Sequence, residues 1–210
     1  MAKILVINPN SNERVTAGLR ESVAAIDADI DCCTIENGPF GIESDEDIAA
    51  VVPLIVDRVQ SFPDYDAYVI ACYSDPGLAE CRSQVSKPVR GMQESAIETA
   101  MTHGGQFGVL ALSDESIARH LAYIDSLGFR SRLAAELPLD ITVDQSANDP
   151  GTLDKVIRTG QRLVAEFGAN ALILGCAGMA GIRAEAQKKL PVPLIEPAQA
   201  AVVLALKDVR

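Results

Sequence analysis

Ala67-Tyr68-Val69-Ile70-Ala71-Cys72 returns about 104 residues later as Ala171-Leu172-Ile173-Leu174-Gly175-Cys176. Each is a short, continuous apolar run that stops at a cysteine and a cluster of small or polar residues. That is the pattern of a strand buried on both faces of a parallel sheet. The likeness extends in both directions. Downstream of each cysteine comes a helical stretch and then a proline-led strand, Pro88-Val89-Arg90-Gly91-Met92-Gln93-Glu94 in one copy and Pro193-Leu194-Ile195-Glu196 in the other. Upstream, residues 3–8 match residues 106–111. Three elements in one order mark a duplicated α/β unit, and two such units related by a pseudo-twofold axis would bring their strand ends face to face.

The remaining pattern fits. Strands are expected at 4–7, 30–35, 67–71, 88–90, 107–111, 131–135, 171–174 and 192–195, with helices between them. Ser44 with Asp47 reads as a capping box before a helix over 48–59, and Asn148-Asp149-Pro150 as the start of a helix over 153–167. His103-Gly104-Gly105-Gln106 divides a first half, 1–103, from a second, 104–210, with a helix at about 197–210 packing back on the first half.

The net charge of −11 should repel phosphate backbones and anionic lipid surfaces, so neither nucleic acid nor membrane is expected as a partner. No apolar run approaches the roughly 20 residues that span a bilayer, and Met1-Ala2-Lys3 leads into too short an apolar stretch for a signal core, so a cytoplasmic location is expected. Five cysteines without framework spacing are expected to be thiols. The two histidines lie apart from any ligand cluster, so no metal is expected.

Ligands of open parallel sheets collect beyond the carboxyl ends of the strands, where both Cys72 and Cys176 stand. A thiol near a helix N-terminus is expected to have a lowered pKa and to act as base or nucleophile. Either cysteine alone reads equally well as a small buried hydrophobe; two at equivalent positions favour chemistry. Cys32, Cys33 and Cys81 show no such pairing and read as structural. Asn8-Pro9-Asn10-Ser11-Asn12 is a turn and helix cap, and its place after the first strand also gives Asn8 and Asn10 a ligand-orienting reading. Ile42, in the loop after the second strand, could line the same mouth.

With Ile7-Asn8-Pro9-Asn10-Ser11, Ala71-Cys72-Tyr73-Ser74-Asp75-Pro76-Gly77-Leu78 and Leu174-Gly175-Cys176-Ala177-Gly178-Met179-Ala180 in view, the whole chain resembles the aspartate/glutamate/hydantoin racemase superfamily, within it the hydantoin and allantoin racemase branch. The resemblance implies two flavodoxin-like (Rossmann-like) halves, an active site in the cleft between them, one catalytic cysteine from each half (Cys72 and Cys176) and no cofactor. The amino-acid racemases it resembles carry Asn-Thr and Thr-His after the two cysteines. Here Tyr73-Ser74 and Ala177-Gly178 stand there, so a cyclic ureide is the expected small-molecule substrate, with free aspartate and glutamate poorly matched. A homo-oligomer is expected. One departure is the segment after the fifth strand, Leu110-Ala111-Leu112-Ser113-Asp114, where Ser113 is the only hydroxyl in place of an expected pair. Other readings are a maleate-isomerase-like activity, in which a cysteine attacks a double bond, and a non-catalytic small-molecule-binding protein.

Overall fold

The structure is a computed structural model that describes residues 1–209. The first half runs β1 (Lys3–Asn8), α1 (Glu13–Val23), β2 (Asp29–Thr34), α2 (Asp45–Ser61), β3 (Ala67–Ile70), α3 (Leu78–Gln84), β4 (Val89–Gly91) and α4 (Met92–Met101). The second runs β5 (Phe107–Ala111), α5 (Asp114–Ser126), β6 (Leu133–Pro138), α6 (Val143–Asn148), α7 (Thr152–Phe167), β7 (Ala171–Leu174), α8 (Arg183–Gln187), β8 (Leu194–Ile195) and α9 (Pro197–Asp208). Each half is a four-stranded parallel sheet, in the order β2-β1-β3-β4 and β6-β5-β7-β8. The registers match too, Ile4 pairing with Ala67 as Phe107 pairs with Ala171. The repeat read in the sequence is therefore a repeat of topology. In each sheet the chain order reverses beside the first strand, which opens the crevice where open α/β sheets hold ligands.

The two sheets are tied together by an exchange of helices. α4 follows the first sheet but packs against β5, β7 and β8, while α9 follows the second sheet and packs against β1, β3 and β4. The two helices also pack on each other. α9 can do this because Ala198, Ala201, Val202, Leu204 and Ala205 are all buried. Small residues let it lie close to the strands, and burying Val202 and Leu204 contributes roughly 2 kcal/mol each. The expected helix reached residue 210; Arg210 lies outside the described residues. One apolar core, including Ile4, Val6, Leu110, Leu172 and Val202, runs through both halves. Among the described residues no helix is long and apolar enough to cross a membrane.

Both exchanged helices begin on a buried carboxyl group, supplied differently in the two halves. Glu196 caps α9 itself, accepting from Ala198 N–H at 2.9 Å and Gln199 N–H at 2.8 Å. α4 begins at Gly91, which has no side chain, and Asp75 reaches in from the loop after Cys72 to accept from Gln93 N–H at 2.8 Å and Glu94 N–H at 2.9 Å. A Cβ on Gly91 would lie 2.2 Å from the Asp75 carboxyl carbon, so glycine is required. Asp75 adopts φ 45, a conformation unusual outside glycine but tolerated by aspartate. The loop carrying Cys72 is thus pinned to a helix that belongs spatially to the other sheet.

Some expectations are corrected. The sixth strand was expected at 131–135, but residues Arg130–Arg132 form a 3-10 turn and the strand begins at Leu133. Arg132 donates to Gly105 O, which folds this segment back instead of extending it. The eighth strand shrinks to two residues, and the helix before 150 is a separate element, α6, that periodicity did not reveal. Its signal was the Thr142–Gln145 capping box, which the structure forms. The Ser44–Asp47 box is present at the start of α2 as expected.

Burial pushes the Asp75 carboxyl up to about 8 against its two N–H donors. A group raised in the folded state stabilises the fold fully below the ordinary carboxylate range, and that contribution fades as pH rises towards 8. The melting temperature should fall between pH 5 and 8, and Asp75→Asn, which removes the titration, should fall less steeply. Thermal melts at half-unit pH steps check this; an equal or steeper fall in the variant contradicts it.

Candidate active site

β3 and β7 end at equivalent levels, and the residues just beyond them, Cys72 and Cys176, open on one cavity between the two halves. The cavity measures about 30 Å³, room for about one water molecule. Its apolar wall comes from Val15, Ile42, Leu112 and Val143, its polar groups from Asn10, Ser74, Ser116, Arg119 and His120. A larger, open groove between α4 and α9 contains neither cysteine.

The two sulfurs are held differently. Cys176 Sγ receives Gly178 N–H at 3.4 Å and lies 3.5 Å from Ser146 Oγ. Ser146 Oγ also donates to Val143 O at 2.6 Å. One hydroxyl proton therefore has two acceptors. While Cys176 is a thiol the proton rests on Val143 O and the oxygen can accept S–H; when Cys176 is a thiolate the proton can turn to sulfur. Gly178 cannot carry a side chain, because a Cβ would come within 2.0 Å of Ser146 Oγ. At Cys72, the nearby Ser74 N–H favours the thiolate.

The sequence expectation of lowered thiol pKa values is overturned. Burial pushes Cys72 up to about 12, more than the Ser74 N–H offsets, and neighbouring Cys176 and Asp75 raise it further while Arg119 lowers it. Burial also raises Cys176 against the hydrogen bonds from Ser146 and Gly178. Cys72 is not at a helix N-terminus at all, since α3 starts only at Leu78 after a turn through Gly77, and burial disfavours a charged sulfur.

Of the residues expected from the sequence, Asn10, Ile42, Cys72, Tyr73, Ser74, Cys176 and Ala177 line the cavity. Asn8 does not. It is fully buried, and its amide nitrogen lies within hydrogen-bond distance of Asn10 Oδ1, Asn12 O and Thr16 Oγ1. It stiffens the turn that presents Asn10. Asn10 Oδ1 accepts from Asn8 Nδ2 and Asn12 N–H, and its own Nδ2 donates to none of the described residues. Ser113 also stays outside, capping α5 through Ser116 N–H, and Gly178 acts through its N–H.

Sequence reading missed the contribution of α5, whose Ser116, Arg119 and His120 share one face at helical spacing and reach the cavity. His120 Nδ1 pairs with Glu136 Oε1 at 2.5 Å, both side chains buried, and its ring meets Tyr73 edge-on at 4.8 Å. It missed the closing contact too. Glu43, from the loop bearing Ile42, accepts from Val143 N–H at 2.8 Å, and Asn12 donates to Asp144 at 3.1 Å, so α6 of the second half is latched over the cavity by the first.

Comparison with known proteins follows the same lines. A family model described as Asp/Glu/Hydantoin racemase matches residues 4–205. A hydantoin racemase of Pseudomonas sp. (strain NS671) is 33% identical over 97% of this chain and 84% of its own. One from Paenarthrobacter aurescens is 33% identical over 95% of this chain and 87% of its own. Among solved structures, an allantoin racemase from Klebsiella pneumoniae superposes with a TM-score of 0.93 at 26% identity, covering 99% of this chain and 87% of that one.

The Ser146 hydroxyl carries a testable consequence. Ser146→Ala removes a donor available to the Cys176 thiolate and should move its alkylation profile to more alkaline pH by roughly one pH unit, the value of one hydrogen bond. Iodoacetamide labelling across pH, read at Cys176 by peptide mass, measures it. An unchanged or more acidic profile contradicts the assignment.

Proposed function

Since the chain belongs to the Asp/Glu/hydantoin racemase family, we propose that it racemises a 5-substituted hydantoin or allantoin, with Cys72 and Cys176 as a thiolate/thiol pair on opposite faces of one carbon. The observation that carries this reading is that two cysteines from equivalent strand ends of the two halves line one small cavity. The hydantoin and allantoin racemases it resembles over nearly their whole length supply the substrate class.

The chemistry follows from the geometry. The carbon between a ring carbonyl and a ring nitrogen loses its proton to the thiolate on one face, and the C–H electron pair moves into the carbonyl as an enolate. The thiol on the other face then gives its proton to the same carbon, and the carbonyl is restored with inverted configuration. The sulfurs finish with exchanged protonation states. A Cys176 thiolate would raise the pKa of Cys72, which favours one charge at a time, as a two-base exchange requires. The Ser146 hydroxyl can serve Cys176 in both states. Asn10 Nδ2 is a donor for a ring carbonyl. Burial makes each thiolate a stronger base than it would be in water, which compensates for its scarcity at neutral pH. A ring needs several times the cavity's volume of about 30 Å³, so the site must widen to admit substrate, and the Glu43–Val143 contact is one of those that hold α6 over it.

Replacing either cysteine by serine should abolish racemisation, lowering it by at least about a thousandfold in line with loss of a general acid or base. Each variant should still exchange the substrate proton for solvent deuterium from one enantiomer, and Cys72→Ser and Cys176→Ser should choose opposite enantiomers. Cys81→Ser should match the parent. Proton NMR of each enantiomer in deuterium oxide beside polarimetry reads both quantities. Near-parental racemisation by either single variant contradicts the two-thiol mechanism.

A further inference from the structure

Arg119 is a charged group of the cavity that proton transfer between two thiols does not use. Among the described residues, four other arginines are partly buried, Arg58, Arg90, Arg132 and Arg183, and each donates at least one hydrogen bond. Arg119 donates none, and its Nε is buried without a partner. A buried N–H that gives up water without gaining an acceptor costs stability, and more so when it carries charge. Such a group calls for an explanation, and at the wall of a cavity a ligand's acceptor supplies one.

The position of Arg119 says which part of a substrate it would meet. It projects from α5 on the same face as Ser116 and His120 and lines the cavity, yet its side chain keeps 17% of its surface exposed. It thus lines the cavity and also reaches the surface, where it can meet what the reacting ring carries outward. Asp45 already indicates the kind of group that is drawn there. Its carboxylate lies 3.8 Å from Arg119 Nε, too far to hydrogen-bond, with a side chain 81% exposed. A pair that open to water is worth at most about 1 kcal/mol, and a better-placed acceptor can displace it. A guanidinium presents parallel N–H donors that fit a carboxylate in two bonds.

We propose that Arg119 selects substrates whose side chain ends in a carboxylate, the cyclic ureides of acidic amino acids, by pairing with that carboxylate at the mouth of the cavity. The inference rests on the racemase reading above and narrows it to an anionic substrate class. Arg119 then acts as a specificity determinant, while its field, which also lowers the Cys72 thiol pKa, acts on every substrate alike.

The test compares 5-(2-carboxyethyl)hydantoin with its neutral isostere 5-(2-carbamoylethyl)hydantoin and with 5-benzylhydantoin, by polarimetry on parent, Arg119→Gln and Arg119→Lys. In the parent, kcat/KM should favour the acid over the amide by at least about tenfold, the value of a charge-assisted hydrogen bond. In Arg119→Gln the acid-to-amide ratio should fall to near one, mainly through KM, and Arg119→Lys should restore part of it. The ratio within one variant is insensitive to losses of folding or of thiol reactivity. A parent that racemises 5-benzylhydantoin but shows no preference for the acid overturns this inference alone. A preference that survives in Arg119→Gln does the same. A parent that racemises none of the three overturns this inference together with the hydantoin reading beneath it.

Discussion

Apolar burial of α4 against the second sheet and of α9 against the first turns two similar halves into one site. A sheet alone exposes the carboxyl ends of its strands to solvent; two sheets that trade their last helices cannot drift apart without uncovering apolar surface on both. The cysteines after β3 and β7 inherit that constraint, because a parallel strand must end where its crossover begins. The Asp75 carboxyl reinforces it locally, joining the loop that carries Cys72 to the first turn of α4. The second half meets the same need with Glu196 on α9 itself, and Met179 occupies the place that corresponds to Asp75. The duplication therefore preserved a physical requirement, a carboxyl group at each exchanged helix, while changing which residue supplies it.

Within the site, burial and hydrogen bonding oppose each other, and burial prevails at both sulfurs. Both positions therefore favour the neutral thiol, and the proposed mechanism would place a single negative charge between buried groups, costly to form there. The donors around it, Ser74 N–H at Cys72 and Gly178 N–H with Ser146 at Cys176, limit the cost without spreading the charge to solvent. The Glu43 contact with Val143 N–H holds α6 over this space, so the same contact bears on access to the thiols and on their burial.

The strands and the two cysteines were legible because buried parallel strands write continuous apolar runs, and a repeat of such runs is hard to produce by accident. The capping box at Ser44 and the turn at Asn8 to Asn12 were legible because their hydrogen bonds are local. What escaped the sequence was long-range or cooperative. Nothing in the composition of α5 shows that Arg119 and His120 face the cysteines, since that depends on how the second sheet meets the first. The short α6 hides in a segment without helical periodicity, although its Thr142–Gln145 box was readable. The thiol pKa direction was misjudged because distance along the chain to the next helix says little about the water left around a sulfur. Asn8 was given a ligand role that the structure spends on Asn10, Asn12 and Thr16.

The central claim is that two thiols, not one, handle the proton. The most direct measurement follows the optical signal of one pure hydantoin enantiomer as the wild-type protein racemises it in deuterium oxide. With two bases the product takes deuterium from the opposite thiol while the remaining substrate keeps its proton. Deuterated product then returns more slowly than protonated substrate is consumed, so the signal should cross zero, overshoot to the opposite sign and decay back. A smooth decay to zero, with deuterium entering the remaining starting enantiomer as fast as it enters the product, would contradict the account.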